Sequence, residues 1–144
     1  MSDKEIPLDE YTCLSLYAAS RAVTGLYREL LEDLGLTYPQ YLVMRLLWQR
    51  GPLGVKDVGA ALALDYGTLS PLLKRLETMG LIRRTRRPDD ERAVEIVLTD
   101  EGEALRERAA DVPEKLSCAL GISEDEAAGL RETLRRMTDS IHTA

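Results

Sequence analysis

The chain has 144 residues, of which 44% are hydrophobic and 31% charged, and its formal net charge is −6. This composition is typical of one globular domain, residues 1–144, with its own core, and no apolar run approaches the ~20 residues that a membrane span needs. The start of the chain is acidic and has no signal-peptide pattern, so we expect a cytoplasmic protein whose two cysteines are kept reduced.

Two helices are predicted in the first third of the chain. The first covers residues 9–33, with Asp9 as its N-cap and an apolar stripe along one side. The second begins after Thr37, which is its predicted cap, carries Pro39 in its first turn and ends at Gly51. Because the second helix is apolar on nearly all sides, we expect it to be buried.

A helix-turn-helix pattern follows. A short helix is predicted near residues 55–62 and a longer one over 65–79, and two strands then meet near 88–92. Two helices followed by a hairpin form a winged helix-turn-helix, which is an arrangement that reads DNA. The start of the longer helix stays open at this point, because Pro71 lies in its second turn if Asp65 is the N-cap and nearer its start if Thr68 is.

The distribution of charge favours a polyanionic partner in spite of the acidic total. Residues 56–92 contain eight basic and six acidic side chains, so the rest of the chain carries the net negative charge. The candidate contacts to base edges and phosphates are Thr68, Ser70, Lys74 and Arg75 on the helix and Arg84, Arg86, Asp90 and Arg92 on the hairpin. We expect Arg92, held by Asp90, to enter the minor groove; the alternative is a solvated, charged helix and hairpin.

The last third of the chain is predicted to be helical. A helix begins after Thr99, and Pro113 is expected to kink it. Ser123 and Glu126 have the spacing of a capping box. The helix after them has an apolar stripe formed by Leu130, Leu134, Met137 and Ile141. The sequence thus predicts a mainly α protein with a small β-hairpin wing, in which segments 8–34 and 99–142 are dimerisation helices around a winged region at 37–98.

Three segments carry a family resemblance. Residues 64–77 (LDYGTLSPLLKRLE), the wing residues 90–92 (DER) and residues 98–102 (LTDEG) resemble the MarR family of dimeric winged-helix regulators. Residues 13–22 (CLSLYAASRA) also resemble the reactive-cysteine segment of the organic-hydroperoxide-resistance regulators within that family. The resemblance extends over nearly the whole chain.

The resemblance implies a homodimeric repressor of a pseudo-palindromic operator. We expect no cofactor, and no metal because the sequence shows no clustered set of metal ligands. It implies that organic hydroperoxides oxidise Cys13, that Tyr27 and Tyr38 of the partner subunit hydrogen-bond this cysteine, and that Tyr17 lies nearby. Cys118 falls at the position of the resolving cysteine of the two-cysteine subgroup, which forms a disulfide with Cys13 of the other subunit. Many relatives have serine in place of Tyr66, which we retain as a candidate DNA contact.

The residues themselves leave alternatives open for Cys13. Helix N-termini favour thiolate, whereas Asp9 and Glu10 oppose it, and a sulfenic acid formed at a thiolate is converted to a disulfide by a nearby thiol. A thiol peroxidase would use the same chemistry, but the single histidine, His142, offers no Cys-His pair, and such an enzyme leaves the wing unexplained. The third possibility is a regulator of the same family that responds to phenolic or other small molecules.

Overall fold

The computed structural model describes residues 5–87 and 90–143, and within this part the side chains of residues 87 and 90–92 are not described. The structure is mainly helical with a small antiparallel sheet, as the sequence predicts. No helix in the described ranges combines the length and the apolar character needed to cross a membrane. In chain order the elements are α1 (Thr12–Leu31), α2 (Tyr38–Arg50), β1 (Leu53–Gly54), α3 (Val55–Leu62), α4 (Tyr66–Thr78), β2 (Ile82–Arg87), β3 (Asp90–Leu98), α5 (Asp100–Arg108), α6 (Val112–Leu120) and α7 (Glu124–Thr143).

The sheet has the strand order β1-β3-β2, and all its pairs are antiparallel. Strands β2 and β3 form the predicted hairpin, with Ile82 opposite Leu98 at its base and an irregularity at Arg86 and Arg87. Strand β1 was not predicted from the sequence. It has only two residues and pairs with β3 through Leu53 and Ile96, so its partner is far along the chain and no local pattern indicates it.

The chain divides into two compact units, one up to Ala110 and the other from Asp111 onward. The first unit contains α1 to α5 and the sheet, and thus the whole predicted winged region. The second contains α6 and α7, and its capping box is confirmed by reciprocal bonds of 3.1 Å between Ser123 and Glu126. The single domain over 1–144 and the assignment of segments 8–34 and 99–142 to dimerisation stay predictions.

Helix α2 lies at the centre of the first unit. Its predicted cap is confirmed, because Thr37 and Gln40 exchange two hydrogen bonds and Pro39 lies in the first turn. The predicted burial is confirmed as well. The fully buried side chains of this unit come from α1, α2, α3, α4, β2 and β3 and include Leu31, Val43, Met44, Leu47, Val58, Leu69, Leu73, Leu76, Ile82 and Ile96.

Two predicted helix features are wrong. Asp9 does not cap α1: residues 8–10 form a separate 3-10 turn, closed by bonds from Glu10 N–H to the Pro7 carbonyl and from Tyr11 N–H to the Leu8 carbonyl. Pro113 does not kink a continuous helix either. Helix α5 ends before it, and Pro113 is the second residue of α6, where its missing N–H removes no helical bond.

A close contact at Gly102 joins α5 to the base of the wing. The Trp48 indole N–H donates to the Gly102 carbonyl at 2.9 Å, and Gly102 N–H donates to Oγ of Thr99 at 3.0 Å. The Thr99 hydroxyl in turn donates to the Gly80 carbonyl at 2.6 Å. A Cβ atom at residue 102 would lie 2.1 Å from the Leu81 carbonyl oxygen, so only glycine fits here.

We expect Gly102→Ala to lower the free energy of unfolding by about 2 kcal/mol or more, because the added methyl group overlaps backbone that cannot rotate away. Urea denaturation measures this change. Gly129→Ala is the matched control, since Gly129 lies inside α7 with open space around it and alanine is the better helix former there. Equal stability of the Gly102→Ala variant and the unsubstituted protein would contradict the expectation.

Candidate functional site

The start of α4 is fixed by Asp65. Its carboxylate accepts the Thr68 backbone N–H at 2.8 Å, and hydrogen bonding to the Thr68 side chain and backbone holds the pKa of Asp65 below its usual value. The choice left open by the sequence is thereby settled in favour of Asp65. Pro71 lies inside the helix, where it has no N–H to donate to the carbonyl one turn earlier, and α4 nevertheless continues to Thr78.

Helix α4 has one buried side and one free side. Leu69, Leu73 and Leu76 are buried and anchor the helix to the core of the first unit. Of the predicted DNA contacts, Ser70 is half-buried and the others are exposed, namely Tyr66, Thr68, Lys74 and Arg75. The exposed set presents an aromatic ring, a hydroxyl and two cations, which are groups that bind base edges and phosphates.

An open groove lies between the start of α2 and the free side of α4. Its volume is about 620 Å³. It is lined by Gly35, Thr37, Gln40, Pro71, Lys74, Arg75, Thr78 and Met79. The two cations of α4 therefore border a depression rather than a flat surface.

The wing arginines differ in their surroundings. Arg83 and Arg86 are exposed on β2, as expected of phosphate contacts. Arg84 is only half-exposed, and its Nη2 donates to the Ser70 carbonyl of α4 at 3.3 Å, so its guanidinium is turned toward the protein. The predicted pair of Asp90 and Arg92 lies outside the described side chains.

The two cysteines are exposed and free. Cys13 is the second residue of α1, and Tyr17 follows one helical turn later, also exposed, with the Arg21 guanidinium 5.6 Å from its ring centroid. Cys118 lies on α6, in the second unit. The described residues contain no group of three potential ligands that could hold a metal ion.

Tyr27 and Tyr38 form a stacked pair within one chain. Their ring centroids are 4.0 Å apart and their planes differ by 12°. Tyr41 lies 5.7 Å from Tyr27 and contacts Trp48 edge-on, so the pair belongs to a larger aromatic cluster. The sequence analysis missed Tyr41 and Trp48 as members of this cluster, although their spacing of seven residues puts both on one side of α2.

Burial, reinforced by Tyr38 and Tyr41, raises the pKa of Tyr27 to about 12. The hydroxyl is protonated at neutral pH, as that of a tyrosine with the ordinary pKa of about 10 also is, and can donate a hydrogen bond. Cys13 and Tyr27 lie fourteen residues apart on the same helix, which corresponds to about 21 Å along its axis. The structure thus brings Tyr27 and Tyr38 together and places them far from Cys13 of the same chain.

Comparison with known proteins identifies the family. The model of the MarR family matches residues 36–94. The organic hydroperoxide resistance transcriptional regulator of Bacillus subtilis is 44% identical over 136 residues, which are 94% of this chain and 88% of that protein. The chain belongs to the MarR family. This MarR protein is a DNA-binding transcriptional regulator, as the sequence predicts.

Solved structures of MarR-type regulators agree with the fold. Reduced AbfR bound to DNA, from Staphylococcus epidermidis, has a TM-score of 0.78 and 34% identity, covering 90% of this chain and 91% of that one. Disulfide-formed AbfR has a TM-score of 0.65 and 33% identity, covering 88% of each chain. Bordetella bronchiseptica BpsR, whose DNA binding is regulated by 6-hydroxynicotinic acid, has a TM-score of 0.82 and 26% identity, covering 93% and 97%. The predicted winged-helix fold is confirmed.

The raised pKa of Tyr27 predicts a pH-dependent loss of stability. Between pH 10 and about 12 the unfolded chain releases the Tyr27 proton while the folded chain keeps it, so stability falls as pH rises, by up to roughly 1.4 kcal/mol per pH unit. We expect Tyr27→Phe to remove this part of the slope in urea denaturation at a series of pH values. Tyr17→Phe is the control, and an equal effect of both substitutions would show that the slope does not belong to Tyr27.

Proposed function

We propose that this MarR regulator is a homodimeric repressor in the reducing cytoplasm, which binds a pseudo-palindromic operator and releases it when an organic hydroperoxide oxidises Cys13. The observation that carries the proposal is the exposed, free thiol at the start of α1. Its Bacillus subtilis relative is named for organic hydroperoxide resistance, and its AbfR relatives were solved in reduced, DNA-bound and in disulfide-formed states.

The proposed reaction has two steps. The Cys13 thiolate attacks the outer peroxide oxygen, the O–O bond breaks, and the alkoxide takes up a proton and leaves as an alcohol, so that Cys13 becomes a sulfenic acid. The Cys118 thiol of the partner subunit then attacks this sulfur and displaces water, which gives an intersubunit disulfide. The hydroperoxide is the oxidant, and each dimer can form two such bonds.

The proposed sensor site is shared between subunits. A thiolate needs hydrogen-bond donors for stabilisation, and the protonated Tyr27 hydroxyl is one. Because Cys13 and Tyr27 of one chain are about 21 Å apart along α1, a Tyr27 hydroxyl that donates to Cys13 has to come from a second copy. The exposed apolar side chains Leu14, Leu16, Leu130 and Ile141 supply surface for such an association.

The proposed DNA interface is the free side of α4 together with β2. Phosphates would be contacted by Lys74 and Arg75 beside the groove and by the exposed Arg83 and Arg86. Base edges would be contacted by Tyr66 and Thr68.

A disulfide needs its two Cα atoms within about 7 Å, so its formation constrains the spacing of the subunits and of their wings. A hundredfold loss of affinity requires only about 2.7 kcal/mol of preference for the released arrangement.

A second candidate is a regulator gated by a small aromatic ligand. The likeness to BpsR, which is regulated by 6-hydroxynicotinic acid, favours it. In that case Cys13 is not needed for release of DNA, and a hydroxylated aromatic acid releases it without any oxidant.

The disulfide is tested by non-reducing gel electrophoresis after cumene hydroperoxide treatment. We expect a covalent dimer that is absent in Cys13→Ser and in Cys118→Ser, because each disulfide needs one sulfur of each kind. Mass spectrometry of the Cys118→Ser variant should detect the sulfenic acid on Cys13. A covalent dimer that persists in either variant would contradict the proposed pairing.

Mixed dimers test whether the sensor site is shared. One subunit carries Cys13→Ser, and the other carries Tyr27→Phe together with Tyr38→Phe; Cys118→Ser in both keeps the sulfenic acid from being consumed. If the site is shared, the remaining Cys13 still meets the two tyrosines of the other subunit and should react at the rate of an unsubstituted site. If the site lies within one chain, the remaining Cys13 has lost both tyrosines. Its oxidation should then be about tenfold slower or more, because a donor to a charged sulfur is lost. A mixed dimer that uses Tyr66→Phe in place of the two tyrosine substitutions is the control.

A further inference from the structure

Arg84 is placed differently from the other described arginines of the wing. It lies in the middle of β2, opposite the buried Ile96, and between Ile82, which is buried, and Arg86, which is exposed. Arg84 itself is half-exposed. Since these three residues of β2 are two apart, they lie on the same face of the sheet, and Arg84 marks the point where this face leaves the core.

Arg84 is bonded to α4 at two points. Its Nη2 donates to the Ser70 carbonyl at 3.3 Å, and its backbone N–H donates to Oε2 of Glu77, also at 3.3 Å. Ser70 and Glu77 are seven residues apart, which is about two helical turns, so both lie on the same side of α4. One residue of the wing is therefore attached to the helix at two levels, through its guanidinium and through its backbone N–H.

The guanidinium of Arg84 is not set up as a free phosphate contact. Its Nε is buried and its Nη2 donates to the Ser70 carbonyl, so the guanidinium is turned toward α4 rather than toward solvent. A side chain that only needed to reach DNA would be better solvated, as the exposed Arg86 is.

We propose that Arg84 is a positioning residue, which locks the wing to α4 so that both meet the DNA as one rigid body. This differs from our sequence-based expectation, in which Arg84 was a DNA contact. Removing the Arg84 side chain should leave the number of phosphate contacts unchanged and widen the range of angles between the wing and α4. DNA binding then has to restrict this additional motion, which lowers the affinity.

The salt dependence of DNA binding separates the two roles. The slope of log K against log salt concentration is negative, and each lost phosphate contact reduces its magnitude by about 1. We expect Arg84→Met to weaken binding to the DNA upstream of the protein's own gene by about tenfold at fixed salt, with an unchanged slope. Arg86→Met, on the same face of β2 but exposed, is the matched control and should reduce the magnitude of the slope by about 1.

Arg84→Lys and Glu77→Ala make the test independent of any single variant. Lysine keeps the charge but lacks the guanidinium geometry, so it should weaken binding as much as methionine does. Glu77→Ala removes the bond to the Arg84 backbone N–H, which no substitution of Arg84 removes, without removing a cation, so it should weaken binding with an unchanged slope and tests this second point of attachment by itself. Arg84→Lys carries the test of the side chain if Arg84→Met does not fold. Hydrogen exchange at the amides of β2 should be faster in each of these variants. A slope reduced by about 1 in Arg84→Met, or full binding by Arg84→Lys, would overturn the proposal.

Discussion

The contact of Gly102 with the Leu81 carbonyl is the constraint from which the geometry of the proposed DNA interface follows. It allows α5 to begin directly against the turn between α4 and β2, where Thr99 bonds to Gly80 and Trp48 of α2 bonds to Gly102. Three elements are thereby held to one short piece of backbone. Because α4 leads into that turn and β2 leaves from it, the contact limits how far the wing can swing from the helix. Arg84 then adds two hydrogen bonds between the wing and α4, whose relative movement this contact already limits.

The length of α1 imposes the second constraint. The helix carries Cys13 at one end and Tyr27 near the other, and Tyr27 is held in place by its stack with Tyr38 at the start of α2. A rigid helix keeps thiol and hydroxyl donor about 21 Å apart. Chemistry that needs both groups at one point therefore needs two chains, and this requirement ties the proposed sensing reaction to the dimer. The aromatic cluster also links the donor to α2, which is the central helix of the first unit.

Local hydrogen-bond patterns made much of the fold predictable. The capping boxes at Thr37 and Ser123 require only residues three apart, and the helical periodicities of α2 and α4 are readable in short windows. What the sequence analysis missed depends on distant partners. The two residues of β1 pair with a strand more than forty positions away, and the direction of the Arg84 side chain is set by α4. The α4 contacts are exposed as expected, apart from the half-buried Ser70, whereas the pairing of Cys13 with Cys118 stays a prediction, because it joins two copies of the chain.

In the proposed function, the oxidation state of the Cys13 sulfur controls the affinity of the protein for DNA. Fluorescence anisotropy of labelled DNA from upstream of the protein's own gene, with cumene hydroperoxide added to the complex of the reduced protein, tests it directly. We expect the affinity of the unsubstituted protein to fall by a hundredfold or more, about 2.7 kcal/mol, and dithiothreitol to restore it. We expect the complex of the Cys13→Ser variant to be unaffected by the hydroperoxide. Release of DNA by that variant at the same hydroperoxide concentration would contradict the claim.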